Sequence, residues 1–87
     1  MLVKTKEGLE IKIIDNCLDD MRALDALCGM DEGDPLAISK LCSLMFTNED
    51  KEEFYKKCED ETGKVRISKA MELLKEIILL LPKQEKN

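Results

Sequence analysis

The side chains best suited to chemistry in this chain of 87 residues are four widely separated cysteines, Cys17, Cys28, Cys42 and Cys58. No two of them have the Cys-x-x-Cys spacing of a typical zinc site, and the sequence contains no histidine. The lack of histidine also removes the usual base for a nucleophilic cysteine or serine. Each cysteine falls at an apolar position of a predicted helix, so we expect four reduced thiols that are buried as small hydrophobic side chains.

Carboxylates are the other candidates for acid–base or metal chemistry. Asp19 and Asp20 are adjacent, but the chain has only three aromatic residues with which to build the apolar pocket that prepares a carboxyl group for proton transfer. A calcium loop over residues 58–69 would place Cys58 at the first ligand position and Lys69 at that of the bidentate glutamate, so both strong ligands are missing. We therefore predict a protein that is not an enzyme and that holds no cofactor and no metal.

Acidic residues are concentrated in one part of the chain. The net charge is −5, and residues 15–34 carry seven acidic side chains against a single basic one, Arg22. Such a segment disfavours nucleic-acid binding, which needs cations to replace the counterions of phosphates. A helix-turn-helix motif over residues 35–58 is also disfavoured, because its second helix would begin with acidic residues. The acidic segment suits a basic protein partner, or it is a solvated face that keeps the protein in solution.

Local sequence signals predict an α+β fold, predominantly α, with an N-terminal β-hairpin followed by four short helices in a single small domain over residues 1–82. The hairpin is predicted over residues 1–14, and residues 83–87 are expected to form a flexible tail. The four helices are predicted at about 16–28, 35–46, 48–59 and 68–81.

The signals for these bounds are turns and helix caps. Gly8 lies between two apolar alternating segments and can adopt the positive φ of a hairpin turn. Gly29 is predicted to end the first helix, and Thr47 resembles the first residue of a capping box. Ser68 is predicted to cap the last helix, which Pro82 ends.

The second predicted helix, over residues 35–46, should lie at the centre of the domain. Asp34 can cap its first amides, and Pro35 occupies the one helical position where a missing N–H has no consequence. Apolar residues cover most of its circumference and leave only a narrow polar strip. A helix of this kind is normally buried on all sides.

The last predicted helix carries a broad apolar stripe. Three further leucines, Leu73, Leu79 and Leu80, widen the stripe beyond what packing on a small domain needs. The helix is therefore either buried between the hairpin and the second helix, or it offers a surface for self-association or for a protein partner. The stripe consists of Ala70, Met71, Leu74, Ile77, Ile78 and Leu81.

No segment indicates a membrane location. The longest apolar run, residues 77–81, is far too short to cross a bilayer, and no signal peptide opens the chain. Four reduced cysteines are typical of a cytosolic protein. We therefore expect a cytoplasmic protein that has no contact with a membrane.

The order of these elements and several short sequence motifs resemble those of a known family. A hairpin over residues 4–13 precedes an acidic helix that contains DDMRALDAL at residues 19–27. The segment DPLA at residues 34–37 begins an apolar helix, and the segment DETGKV at residues 60–65 precedes a terminal amphipathic helix. Over residues 3–80 the chain is similar to the small tail assembly chaperones that are encoded by siphophages and prophages of Gram-positive bacteria.

This resemblance implies a non-enzymatic function. Such chaperones bind the tape measure protein while tail tube protein subunits polymerise around it in the cytoplasm of the infected host, and they are absent from the mature virion. Homo-oligomers formed through the C-terminal helix are a further expectation. The predicted apolar contact surface consists of Met71, Leu74, Ile77, Ile78 and Leu81, and the predicted electrostatic rim of Asp19, Asp20 and Asp25.

Two other functions fit the same residues. An acidic regulatory or inhibitory protein of the antitoxin or anti-repressor type would use residues 15–34 to block a basic surface, and its affinity would fall steeply with salt. An enzyme with a reactive cysteine would need at least one thiol that reacts quickly in the folded state.

Overall fold

The computed structural model describes residues 1–81, in which a hairpin is followed by four helices. This arrangement confirms the predicted fold, a mostly helical small domain with an N-terminal antiparallel hairpin. The predicted helix stop at Pro82 and the predicted tail at residues 83–87 lie outside the described residues. The elements are β1 (Leu2–Lys4), β2 (Glu10–Lys12), α1 (Met21–Asp31), α2 (Pro35–Met45), α3 (Asn48–Cys58) and α4 (Ile67–Leu80).

The strands of the hairpin place Val3 opposite Ile11, and both side chains are buried. Gly8 lies in the turn with a φ of +89°, a left-handed conformation that glycine adopts without steric strain. The buried face packs on the helices, since β1 contacts α4 and β2 contacts α3. An isolated hairpin is marginal in water, so these contacts are what stabilise it.

Helix α1 begins at Met21, later than the predicted start at residue 16. Asn16 has a φ of 57°, a left-handed conformation that an α-helix does not contain, and the chain forms turns over residues 15–18. The Asp20 carboxylate caps the helix by accepting a hydrogen bond of 2.8 Å from the Arg22 amide. The predicted start is therefore wrong. The left-handed backbone of Asn16 prevents a helix from beginning there, and Asp20 caps α1 four residues later.

The predicted end of α1 is also wrong. Gly29 lies inside the helix, and Gly33, with a φ of +87°, ends it. The Gly33 amide donates to the Met30 carbonyl at 3.0 Å, and the Asp34 amide donates to the Gly29 carbonyl at 2.9 Å. These two bonds form a Schellman motif. Gly29 has a packing role instead, because an added Cβ would lie 2.7 Å from the Ala37 Cβ of α2.

Helix α2 supplies much of the core, but it is buried on one side only. The Asp34 carboxylate caps it as predicted, accepting from the Leu36 amide at 3.0 Å. The Leu36 side chain is nevertheless 71% exposed, so the expectation of burial on all sides is wrong. The reason is that the neighbouring helices cover only one face of α2. That face consists of Ala37, Ile38, Leu41, Cys42 and Met45.

Helix α3 contributes two buried residues to the core, Phe54 and Cys58. The Phe54 ring packs against the ring of Phe46, with centroids 5.1 Å apart. The predicted cap is confirmed: the Thr47 hydroxyl accepts from the Asp50 amide at 3.3 Å and donates to the Asp50 carboxylate at 2.8 Å. Local capping therefore sets the start of this helix.

Asp60 organises the loop between α3 and α4. Its carboxylate accepts hydrogen bonds from the Thr62 hydroxyl at 2.6 Å, from the Thr62 amide at 2.8 Å and from the Lys64 amide at 3.2 Å. Arg66 forms an ion pair with the same carboxylate at 3.3 Å. The Thr62 hydroxyl, with smaller effects from the two amides and Arg66, lowers the pKa of Asp60 below its ordinary value.

Helix α4 begins at Ile67 without any side-chain cap, so the prediction that Ser68 caps it is wrong. A backbone bridge between Glu59 and Val65 holds the preceding residues extended and sets the entry into the helix. The helix has 14 residues, and no helix within residues 1–81 has the length and apolarity needed to cross a bilayer.

Candidate protein-binding surface

Helix α4 carries the most exposed large apolar side chain of residues 1–81, which is Leu79 at 85%. Single exposed leucines are common, so the surroundings decide whether this one has a role. Leu79 and Lys75, one helical turn earlier, lie between two grooves and line both of them. We call Lys75 and Leu79 the α4 ridge.

The first groove lies between α1 and α4 and has a volume of about 460 Å³. We call it the α1–α4 groove. Its lining is largely apolar, and its charged side chains are Asp31 on the α1 wall and Lys75 on the α4 wall. The lining residues are Leu27, Cys28, Met30, Asp31, Lys75, Ile78 and Leu79.

The second groove lies between the hairpin and α4 and has a volume of about 640 Å³. Exposed polar contacts link its two walls: the Lys6 amide donates to the Glu76 carboxylate at 2.6 Å, and the Lys69 ammonium donates to the Glu7 carboxylate at 3.3 Å. Its lining mixes charged and apolar side chains, namely Lys4, Thr5, Lys6, Glu72, Lys75, Glu76, Leu79 and Leu80. The α4 ridge thus separates a largely apolar groove from one that several charged side chains also line.

The predicted apolar contact surface is only partly at the surface. Leu74 and Ile77 are fully buried, with 0% exposure, so no partner can reach them while the domain keeps this fold. Met71, Ile78 and Leu81 are half-buried and pack against the core, and Ile78 also lines the α1–α4 groove. The reachable part of the predicted surface is therefore its edge. The last helix is buried along one face, and whether its exposed edge binds a partner stays a prediction.

Helical geometry explains which residues of α4 remain outside. Successive residues are rotated by about 100°, so Leu79 points away from the buried face that contains Ile77. Glu72, Lys75 and Glu76 lie on the same outward side as Leu79. Sequence reasoning treated Leu79 as a widening of the stripe, but an apolar residue within an otherwise charged face was the signal that could have identified it.

The predicted acidic rim does not surround the grooves beside α4. Asp20 caps α1, and the Arg22 amide, followed by the Arg22 side chain, lowers the pKa of its carboxyl group. Asp25 lines a different cavity of about 560 Å³ between α1 and α2, together with Leu36 and Lys40. Asp19 is exposed in the turn before α1 and lines neither groove beside α4. The acid that lies at the α1–α4 groove is Asp31, which was not predicted as a site residue.

All four cysteines are free thiols, and three of them are buried as predicted. Burial raises the pKa of the Cys17 thiol, raises that of Cys42 to about 12 and raises that of Cys58 to about 11. Cys28 is exposed, so the prediction of burial is wrong for this residue. Helix α1 packs on the core through Ala23, Ala26 and Met30, which leaves Cys28 exposed in the lining of the α1–α4 groove.

Within residues 1–81, no three side chains of His, Cys, Asp or Glu come together in a group that could hold a metal ion. The chain matches no protein-family model, and no curated protein or solved structure is detectably similar to it. The resemblance to tail assembly chaperones therefore rests on short words of sequence and on the order of the elements.

Proposed function

We propose that this protein is a non-enzymatic tail assembly chaperone that binds helical segments of the tape measure protein, and tail tube subunits, through the α4 ridge and the grooves beside it. On this proposal it acts in the cytoplasm of the bacterial host and is absent from the mature virion. The observation that carries the proposal is the exposure of Leu79 above a groove of about 460 Å³ whose lining is largely apolar.

The chemistry of such a partner matches this surface. A tape measure protein is a long helical chain whose apolar stripes would aggregate unless they were covered. An amphipathic helix places apolar side chains at intervals of three and four residues, which suits an apolar groove bordered by a projecting leucine. A surface built from leucine, isoleucine and methionine can bind many similar helices without a fixed register.

The test is a capture experiment with Leu79→Asp. The tagged full chain is expressed with the tape measure and tail tube genes of its phage or prophage, and the co-purified proteins are identified by mass. Loss of a buried leucine removes about 1.5–3 kcal/mol, so we expect at least a tenfold loss of captured partner. Leu79 is almost fully exposed, so the variant should keep the circular dichroism spectrum of the wild type.

Leu36→Asp is the matched control. Leu36 is 71% exposed on α2 and lines neither groove beside α4, so the same change there should leave capture intact. The proposal would be wrong if the wild type captured neither tail protein, or if Leu79→Asp captured them as well as Leu36→Asp does.

A second candidate function, an acidic regulatory protein that blocks a basic surface, is favoured by a different observation. Within residues 15–34 every acidic side chain except Asp20 is exposed. An electrostatic inhibitor should lose affinity steeply as salt rises, whereas apolar capture should depend on salt only weakly. Repeating the capture at low and high salt separates the two functions.

A further inference from the structure

We propose that in the free protein the α1–α4 groove is covered by a second copy of this chain, in a dimer with twofold symmetry. In this dimer the Leu79 side chain of each copy enters the α1–α4 groove of the other. The inference does not rest on the proposed function, because self-association requires no tail protein.

The shape of the surface supports a second copy as the occupant. A twofold interface needs a projection and a recess on the same patch, since each copy must supply what the other receives. Leu79 provides the projection, with 85% of its surface exposed, and the groove beside it provides the recess. The lining of that recess includes Leu27, Met30 and Ile78, which are apolar partners suited to a leucine side chain.

The charged side chains of the patch are also complementary to those of a second copy. Asp31 lies on the α1 wall and Lys75 on the α4 wall. A twofold axis that passes through the groove places Asp31 of each copy against Lys75 of the other, which forms two equal ion pairs. Within residues 1–81 neither side chain has an ion-pair partner, so both are available for this contact.

The arrangement makes a prediction that holds only for a contact between two copies of this chain. Asp31→Lys alone would set lysine against lysine twice in its own dimer, and Lys75→Asp alone would set aspartate against aspartate twice. An equimolar mixture of these two variants forms heterodimers in which both pairs have opposite charges again. The double variant Asp31→Lys/Lys75→Asp also restores both pairs. A partner of another kind would give neither form of rescue.

The experiment is sedimentation equilibrium of the full chain at low salt. A reducing agent is present because the exposed Cys28 could otherwise link two copies. We expect a concentration-dependent dimer for the wild type and roughly tenfold weaker dimerisation for each single variant, since two rim pairs change from attraction to repulsion. The mixture and the double variant should regain the affinity of the wild type.

Two controls make the outcome specific. Lys40→Asp makes the same charge change at an exposed lysine on α2 that lies outside the groove, so it should leave dimerisation unchanged. Leu79→Asp should abolish the dimer. The inference is overturned if the wild type is monomeric throughout, if the mixture of single variants stays monomeric, or if Lys40→Asp weakens the dimer as much as Lys75→Asp does. None of these readouts involves a tail protein, so they are independent of the capture experiment.

Discussion

At the scale of single residues, burial divides the four cysteines into two classes. Cys17, Cys42 and Cys58 lie in the core, where the uncharged thiol is favoured and the pKa is raised. Only the thiolate is nucleophilic, so these three residues combine a small thiolate fraction with poor access. Cys28 differs because it is exposed and lines the α1–α4 groove.

We predict that one thiol of the folded protein reacts quickly with a chromogenic disulfide reagent and that three react slowly. The fast phase should disappear in Cys28→Ser, whereas the matched change Ser43→Cys, at an exposed position of α2, should add a second fast phase. The buried thiols become increasingly reactive only as the pH rises toward their raised pKa values. Fast reaction of two or more thiols in the native protein at neutral pH would contradict the assignment of Cys17, Cys42 and Cys58 to the core.

This measurement also bears on the alternative of a cysteine enzyme. Rapid reaction of the Cys28 thiol would meet the first requirement of that alternative. Exposure by itself, however, only lets a reagent reach the thiol and does not make the thiol more nucleophilic. No histidine is available as a base. The reagent should therefore react with Cys28 at the rate of a thiol in an unstructured peptide, and a rate well above that value would support the enzyme.

At the scale of secondary-structure elements, Gly29 shows how packing can override a helix propensity. Glycine is less favourable than alanine within a helix by about 1 kcal/mol, so Gly29→Ala would stabilise an isolated α1. In the folded protein the new Cβ would lie 2.7 Å from the Ala37 Cβ. A methyl group on the backbone cannot rotate away, so α1 and α2 must separate.

We predict that Gly29→Ala destabilises the protein by about 1–3 kcal/mol, which is typical of an overpacked core. Adding Ala37→Gly removes the opposing methyl group, so the double variant should be more stable than the sum of the two single effects predicts. Urea unfolding of the four proteins in this cycle measures the coupling. Additive effects, or a more stable Gly29→Ala, would show that the two helices do not touch at this point.

The contrast between local sequence signals and tertiary packing also explains which elements could be predicted from the sequence. The hairpin turn at Gly8 and the starts of α2 and α3 depend on residues close together in the chain, and their rules are local. The Asp34 and Thr47 caps act within three residues of themselves, so their positions were correct. The start of α1 depends on the backbone conformation of Asn16, which the residue type permits but does not require.

The candidate site was harder to predict, because it depends on which face of α4 the other elements cover. Leu74 and Leu79 have the same side chain, but the hairpin, α2 and α3 pack on the face of α4 that contains Leu74 and leave Leu79 exposed. The acidic rim was misplaced for a similar reason. Asp31 lines the α1–α4 groove because the tertiary fold brings α1 near α4. Local sequence rules do not predict which helices become neighbours.

At the scale of the whole molecule, the hairpin and the last helix hold the two ends of the described chain together. The polar links between them, Lys6 to Glu76 and Lys69 to Glu7, are exposed, and contacts of this kind contribute about 0–1 kcal/mol each. The apolar contacts must therefore supply most of the docking energy. Ile11, with 1% exposure, is a buried residue on the strand that contacts α3.

We predict that Ile11→Ala destabilises the entire domain, by about 2–5 kcal/mol, and that the chain still unfolds in one transition. Tyr55 is the single tyrosine in a chain without tryptophan, so its fluorescence reports on α3, whereas far-ultraviolet circular dichroism reports on all helices. Both signals should shift to the same lower denaturant concentration, because a hairpin packed into the shared core cannot detach alone. Lys12→Ala, on the exposed face of the same strand, should shift neither signal appreciably. If Ile11→Ala left the Tyr55 transition in place, the hairpin would be a separate appendage, and the groove between it and α4 would not be a fixed part of the binding surface.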